Sequence, residues 1–238
     1  MVVPYENLAK TVGQKIKDIY GRDAGYVINI NTEVDGTITG VELATDSTII
    51  TVDPNRFKLE QDGVVLMPEW KVKANTILAN VEKIRRRLKA LEELYNKNEI
   101  DKSDYDEMKR KLSSEYNKVK EEISKLKSVL KARLSELEDQ ALKIDKVMIA
   151  LKMSYLSSEI EDKAYKSSAD QLKKLKDSYS MERDDIRKTL DKLDNLDKES
   201  VELKPPTPVI LTPETTPEPS NEKAEVPAKI GIKVINTI

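Results

Sequence analysis

The chain has 238 residues and contains neither cysteine nor histidine. The first absence removes disulfides, thiolate nucleophiles and thiolate metal sites. The second removes the commonest metal ligand and the side chain that most often moves protons near neutral pH. One Phe and one Trp are too few large rings to anchor a globular core of 27.0 kDa, and with 35% charged residues the chain reads as elongated. Its longest apolar runs, such as Val147 to Leu151, fall far short of the roughly 20 residues of a membrane span or the roughly 7 to 15 of a secretory signal. An intracellular chain without a spanning segment is therefore expected. There is no G-x-x-x-x-G-K-[ST], no G-x-G-x-x-G and no G-x-S-x-G, so nucleotide hydrolysis, dinucleotide binding and α/β-hydrolase chemistry have no seat. We expect no enzyme activity, no cofactor and no metal site. With 41 basic against 43 acidic residues, wholesale polyanion binding is not implied either.

Glycine and proline are also unevenly spread. Six of the seven Gly lie at or before Gly63, seven of the ten Pro lie between Pro205 and Pro227, and the stretch from Glu69 to Lys204 has neither. A long segment without helix breakers between two segments rich in them predicts a multidomain α+β chain. The divisions are a β domain over 1–68, an α-helical coiled coil over 69–203, a disordered Pro-rich linker over 204–226 and a strand-forming peptide over 227–238.

In the first segment, polar and apolar residues alternate in Gln14 to Tyr20, Gly25 to Ile30, Thr37 to Leu43, Thr48 to Val52 and Val64 to Met67. Turn signals separate these runs at Gly21 to Gly25, Val34-Asp35-Gly36, Thr45-Asp46-Ser47 and Gln61-Asp62-Gly63. About five short strands in so few residues predict a closed or nearly closed barrel. The strings Val12-Gly13-Gln14-Lys15-Ile16-Lys17-Asp18, Gly25-Tyr26-Val27-Ile28 and Asp35-Gly36-Thr37-Ile38-Thr39-Gly40-Val41-Glu42-Leu43 resemble the PRC-barrel pattern. That family serves several functions, so the resemblance implies a fold and selects no activity.

The middle segment carries helical periodicity. Ile77, Val81, Ile84, Leu88, Leu91 and Tyr95 form an unbroken a/d seam, and a longer stripe from Tyr105 to Tyr155 includes Ile123, Leu126 and Leu130. A third stripe, Leu172, Leu175, Tyr179, Ile186, Leu190 and Leu193, misses one turn near Glu182. Asn96 to Ser103 interrupts the pattern, with Ser103 and Asp106 as a capping signature for the next helix. The pattern recurs sixty residues later: Tyr95, Glu99, Ile100 and Tyr105 match Tyr155, Glu159, Ile160 and Tyr165, an internal repeat. Helices of roughly 28, 55 and 36 residues span about 42, 82 and 54 Å, which suits two helical hairpins end to end. The alternative is one straight rod whose stripe is buried by a second chain. We expected the seam to have too little of its own polypeptide to pack on. Ile77, Val81, Ile84, Leu88, Leu91, Ile123, Leu126 and Leu130 accordingly read as a self-association surface giving a dimer or filament.

The final segment ends in Lys229-Ile230-Gly231-Ile232-Lys233-Val234-Ile235-Asn236-Thr237-Ile238, with β-branched Ile230, Ile232, Val234 and Ile238 on one face of a strand. Such a strand on a Pro-rich stalk is a ligand for the open sheet edge of another protein, through Ile230, Ile232, Val234, Ile235 and Ile238. Alternatively it folds back onto the chain's own β domain.

The order of barrel, coiled coil, Pro-rich stalk and Ile/Val-rich terminal strand resembles the CdvA family of archaeal cell-division proteins. The resemblance implies a cytoskeletal scaffold that forms filaments and lies in the cytoplasm against the inner face of the membrane at midcell. It also implies that the terminal peptide recruits the ESCRT-III homologue CdvB by adding a β-strand to its winged-helix domain. DNA association belongs to the same set of implications.

Charge in the coiled coil is polarised. Residues 71–133 carry a net +7 and residues 134–204 a net −3. Arg85, Arg86 and Arg87 are candidate phosphate contacts, which sustains a competing reading as a nucleic-acid factor. A solvated coiled-coil face explains the same charges, and the −4 of residues 1–68 weighs against nucleic acid. The carboxylate pairs Glu92-Glu93, Glu121-Glu122 and Asp184-Asp185 read as solvent-facing. Trp70, at the junction between the first two segments, reads as a packing residue, with a membrane-interface role as the alternative.

Overall fold

The structure is a computed structural model that describes residues 3–61 and 63–198, all within one compact unit. A short helix α1 (Tyr5–Ala9) precedes strands β1 (Lys15–Asp18), β2 (Asp23–Thr32), β3 (Ile38–Ala44), β4 (Ile49–Val52), β5 (Phe57–Glu60) and β6 (Gly63–Leu66). Three helices follow: α2 (Glu69–Asn96), α3 (Lys102–Leu156) and α4 (Asp162–Lys198).

The strands form one sheet in the order β4-β3-β2-β1-β6-β5. All neighbours are antiparallel except β1 and β6, which run parallel. The alternation in the sequence places the core correctly: Ile16, Val27, Val41, Leu43, Val52, Val64 and Leu66 are buried together with Leu8 of α1. The barrel, however, is not closed. β4 and β5 are consecutive in sequence yet occupy opposite edges, because a 3-10 turn at Pro54–Arg56 comes between them. Pro54 has no N–H to give a ladder, and Asp53 spends its carboxylate on the Asn55 N–H at 2.8 Å. β5 and α1 had no sufficient alternation in the sequence. Gly25 proves to lie inside β2 rather than in the preceding turn. At φ +129°, a Cβ there would stand 2.6 Å from the Ala44 carbonyl oxygen on β3, so only glycine lets the two strands meet.

The helices form hairpins, not a rod. α3 packs on α2 and on α4, and its 55 residues span about 82 Å. The two hairpin tips share one geometry, which makes the sixty-residue repeat a structural one. At the first tip Lys97 N–H donates to Glu93, Asn98 to Tyr95 and Glu99 to Leu94. At the second, Ser157 donates to Met153, Ser158 to Tyr155 and Glu159 to Ser154. Asn98 and Ser158 both take positive φ, 56° and 61°, and the rings of Tyr95 and Tyr105 and of Tyr155 and Tyr165 lie 4.6 and 4.4 Å apart. The second helix is capped by Asp101, which accepts from Asp104 N–H at 2.8 Å. Ser103 is already inside the first turn, so the Ser103–Asp106 signature is displaced by an earlier and stronger cap. Because a left-handed position just past a helix favours glycine, Ser158→Gly is expected to stabilise the second hairpin by about 0.5–1 kcal/mol, read from urea denaturation.

Candidate functional site

The packing of the hairpins decides the fate of the proposed self-association seam. Ile77, Val81, Ile84, Leu88, Leu91, Ile123, Leu126 and Leu130 are all buried, none more than 5% exposed, in one cluster with Ile186 and Leu193 of α4. The seam covers itself. The expectation that these eight residues must pack on a second copy is corrected by the fold-back of α2 and α4 onto α3, which supplies the missing apolar partner within the chain.

The break in the third stripe has a specific occupant. Glu182 stands where α4 lacks an apolar residue, is 2% exposed, and is held by two arginines from elsewhere in the chain. Arg133 of α3 donates to both carboxylate oxygens, from Nε at 2.9 Å and Nη2 at 3.0 Å. Arg22, in the turn between β1 and β2, donates from Nη1 at 2.5 Å. Asp18 fixes that turn by accepting the N–H groups of Tyr20 and Arg22, each at 2.9 Å, and Arg22 Nε at 2.7 Å. One helical turn further along α4, Asp185 accepts from the Tyr20 hydroxyl at 2.7 Å and pairs with Lys71 of α2. Of the carboxylate pair Asp184-Asp185, only Asp184 is exposed; Asp185 belongs to this junction.

The electrostatics follow from burial and pairing. Burial pushes the Glu182 carboxyl up, but hydrogen bonds and charge from Arg133 and Arg22 outweigh it and leave it below the ordinary carboxylate value. Its hydrogen bond to Glu182 is the main reason that Arg133 is raised. Burial, then the bond to Asp185, raises the Tyr20 hydroxyl. Tyr20 is buried in the helical core and Ile19 packs against it, and Arg22 lies 5.2 Å from the Tyr20 ring. A cleft of about 320 Å³ opens beside the cluster, with Arg22, Arg56, Trp70, Arg133, Asp18 and Glu182 among its walls. The opposed charges pair with one another, so the arrangement holds the sheet against the helices.

The remaining sequence candidates separate. Trp70 is buried, 8% exposed, in the helical core, which gives it the packing role. Arg85, Arg86 and Arg87 follow one another along α2, so at about 100° per residue they fan around the helix instead of lining one stripe. Arg87 lies 3.9 Å from Glu115 across the hairpin. Glu92, Glu93, Glu121 and Glu122 are exposed. Ile230, Ile232, Val234, Ile235 and Ile238 lie outside the described residues. Among the described residues no group of three or more acidic side chains is arranged to hold a metal, and no helix is long and apolar enough to cross a membrane.

Comparison with known proteins agrees with the resemblance read from the segment order. No solved structure matches the chain. A family model described as CdvA-like coiled-coil domain matches residues 69–215, which takes in all three long helices. The protein named Cell division protein A of Sulfolobus acidocaldarius is 51% identical over 238 residues, covering the whole of both chains. A match that spans the helices, together with 51% identity over the full length of the chain, means that this chain belongs to the CdvA family of cell-division proteins.

Proposed function

We propose that this chain is a non-enzymatic scaffold of archaeal cell division. It assembles copy to copy into filaments, lies against the inner face of the membrane at the division site, and recruits CdvB through strand addition by its terminal peptide. The observation that carries the reading is 51% identity, over the entire length, with a protein named for cell division. The site geometry is consistent with it, since the polar cluster around Glu182 joins two parts of the chain.

Because the helical seam is internal, assembly needs another surface, and the open sheet supplies one. Its β4 edge reads Thr48-Ile49-Ile50-Thr51-Val52, β-branched throughout and without charge or proline, and Ile49 is 62% exposed. Unguarded edges of this kind pair with other strands. The test is electron microscopy and sedimentation of the full chain against Ile49→Lys. A lysine at an exposed edge position leaves the fold intact and is expected to raise the concentration needed for assembly by at least about tenfold. Unaltered assembly removes the sheet edge from the proposal, and a wild-type chain that stays monomeric with and without vesicles removes the filament.

A further inference from the structure

We infer that the outer face of the second hairpin, formed by Leu142, Ile149, Met153 and Leu156 of α3, is the surface that rests in an anionic lipid interface. The inference rests on the membrane association proposed above and gives it residues. The four side chains are 60%, 62%, 66% and 71% exposed. Their spacing of seven, four and three places them within an arc of about 60° on the helix, across from Ile144 and Tyr155 on the side that meets α4.

The internal repeat acts as a control for what this hairpin needs in order to fold. Sixty residues earlier the same positions hold Glu82, Lys89, Glu93 and Asn96, all exposed, on a hairpin with the same tip geometry. Apolar residues are thus no requirement of the architecture at these sites. The substitution extends to the flank: Arg87 and Glu115, an ion pair in the first hairpin, correspond to Val147 and Leu175, 44% and 37% exposed. The two copies of the repeat thus differ here, one presenting a polar surface and the other an apolar one.

Charge selects the occupant. Lys143, Lys146 and Lys152 border the stripe and are exposed, whereas the one acidic residue between Leu142 and Leu156, Asp145, is paired with Lys176 of α4; exposed Asp139 lies one turn before the stripe begins. A second copy laid on the stripe in parallel sets Lys146 against Lys146. Laid antiparallel about Ile149, it sets Lys146 against Lys152. Like charges at the rim disfavour both arrangements. An apolar strip bordered by lysines fits an anionic bilayer surface, where the apolar side chains enter the acyl boundary and the ammonium groups reach the headgroups. The strip is about 21 Å long, so a single chain holds weakly and an assembled array multiplies the contact.

The repeat also provides a substitution set compatible with the fold: Leu142→Glu, Ile149→Lys, Met153→Glu and Leu156→Asn, each introducing the residue found at the equivalent place in the first hairpin. Co-sedimentation of the full chain with vesicles of equal phosphatidylglycerol and phosphatidylcholine is expected to fall by at least about tenfold. Helicity by circular dichroism and assembly without lipid are expected to stay unchanged. Lys143→Gln, Lys146→Gln and Lys152→Gln are expected to weaken binding to the anionic vesicles by roughly fivefold for each lysine lost, and to leave binding to pure phosphatidylcholine unaffected. Wild-type chain that binds while the fourfold variant binds equally well overturns the assigned surface alone. Wild-type chain that binds neither vesicle overturns the membrane proposal and this inference together. Loss of assembly with vesicle binding retained assigns the stripe to a second copy and overturns the lipid reading.

Discussion

Removal of residues 225–238 is expected to abolish capture of the CdvB winged-helix domain while filaments still form. The terminal segment joins β-branched residues at Ile230, Ile232, Val234 and Ile238 to a preceding proline-rich sequence. Strand addition takes its affinity from main-chain hydrogen bonds and its specificity from pockets for alternate side chains. Ile232→Asp or Val234→Asp in the full chain is expected to weaken binding by roughly a hundredfold or more, since an unpaired carboxylate in an apolar pocket costs at least about 3 kcal/mol. Isothermal titration calorimetry reads both. Unchanged affinity in the point variants refutes the assigned face, and lost assembly in the truncation returns the segment to the fold of the chain itself.

The second large effect is expected at Glu182. Glu182→Ala leaves Arg22 and Arg133 facing one another without the carboxylate between them, and breaking a buried pair of this kind costs about 3 kcal/mol. The lower end of the usual range applies because the side chains of Arg22 and Arg133 keep 22% and 36% exposure and reach water in part. The pH dependence has a definite sign. A carboxyl whose value is depressed by folding contributes stability that is fully present above its ordinary value of 4.5 and is lost as pH falls through the depressed one. The stability difference between wild type and Glu182→Ala, measured by urea denaturation, is therefore expected to be constant near neutrality and to shrink in acid. A difference that grows in acid contradicts the assigned pairing. Neutralising the group together, with Glu182→Leu, Arg133→Met, Arg22→Leu and Asp18→Asn, the last keeping an oxygen to accept from the turn, is expected to preserve stability. Such a variant loses the charges that orient the sheet on the helices, and its vesicle binding and assembly report whether that orientation matters.

The junction shows where reading the chain in sequence succeeds and where it stops. The interruption at Glu182 was visible as a missing apolar turn. Its meaning was not, because Arg22 and Arg133 are 160 and 49 residues away and no periodicity links them. Asp185 was misread for a related reason: a carboxylate among lysines has the composition of a solvated face, and only the arrival of Tyr20 and Lys71 gives it partners. The exposed stripe from Leu142 to Leu156 was hidden by the opposite effect. On a helix already rich in apolar residues, four more blend into the seam until packing shows which face is covered.

The amino-acid sequence by itself determined the elements and most of their limits. The absence of Gly and Pro from Glu69 to Lys204 allows long helices, the heptad seam says which face they bury, and the polar run at Asn96 to Ser103 and its copy sixty residues on mark the turns, because capping and periodicity are local interactions. The tertiary structure alone decided that the seam closes within one chain, that the sheet stays open between β4 and β5, and that Glu182 joins the two parts. Each depends on which distant surface arrives first at an unpaired group. A stripe of leucines is equally satisfied by its own chain or by another, since apolar burial is not directional, and the length of the loops between the helices is what makes the nearer partner win.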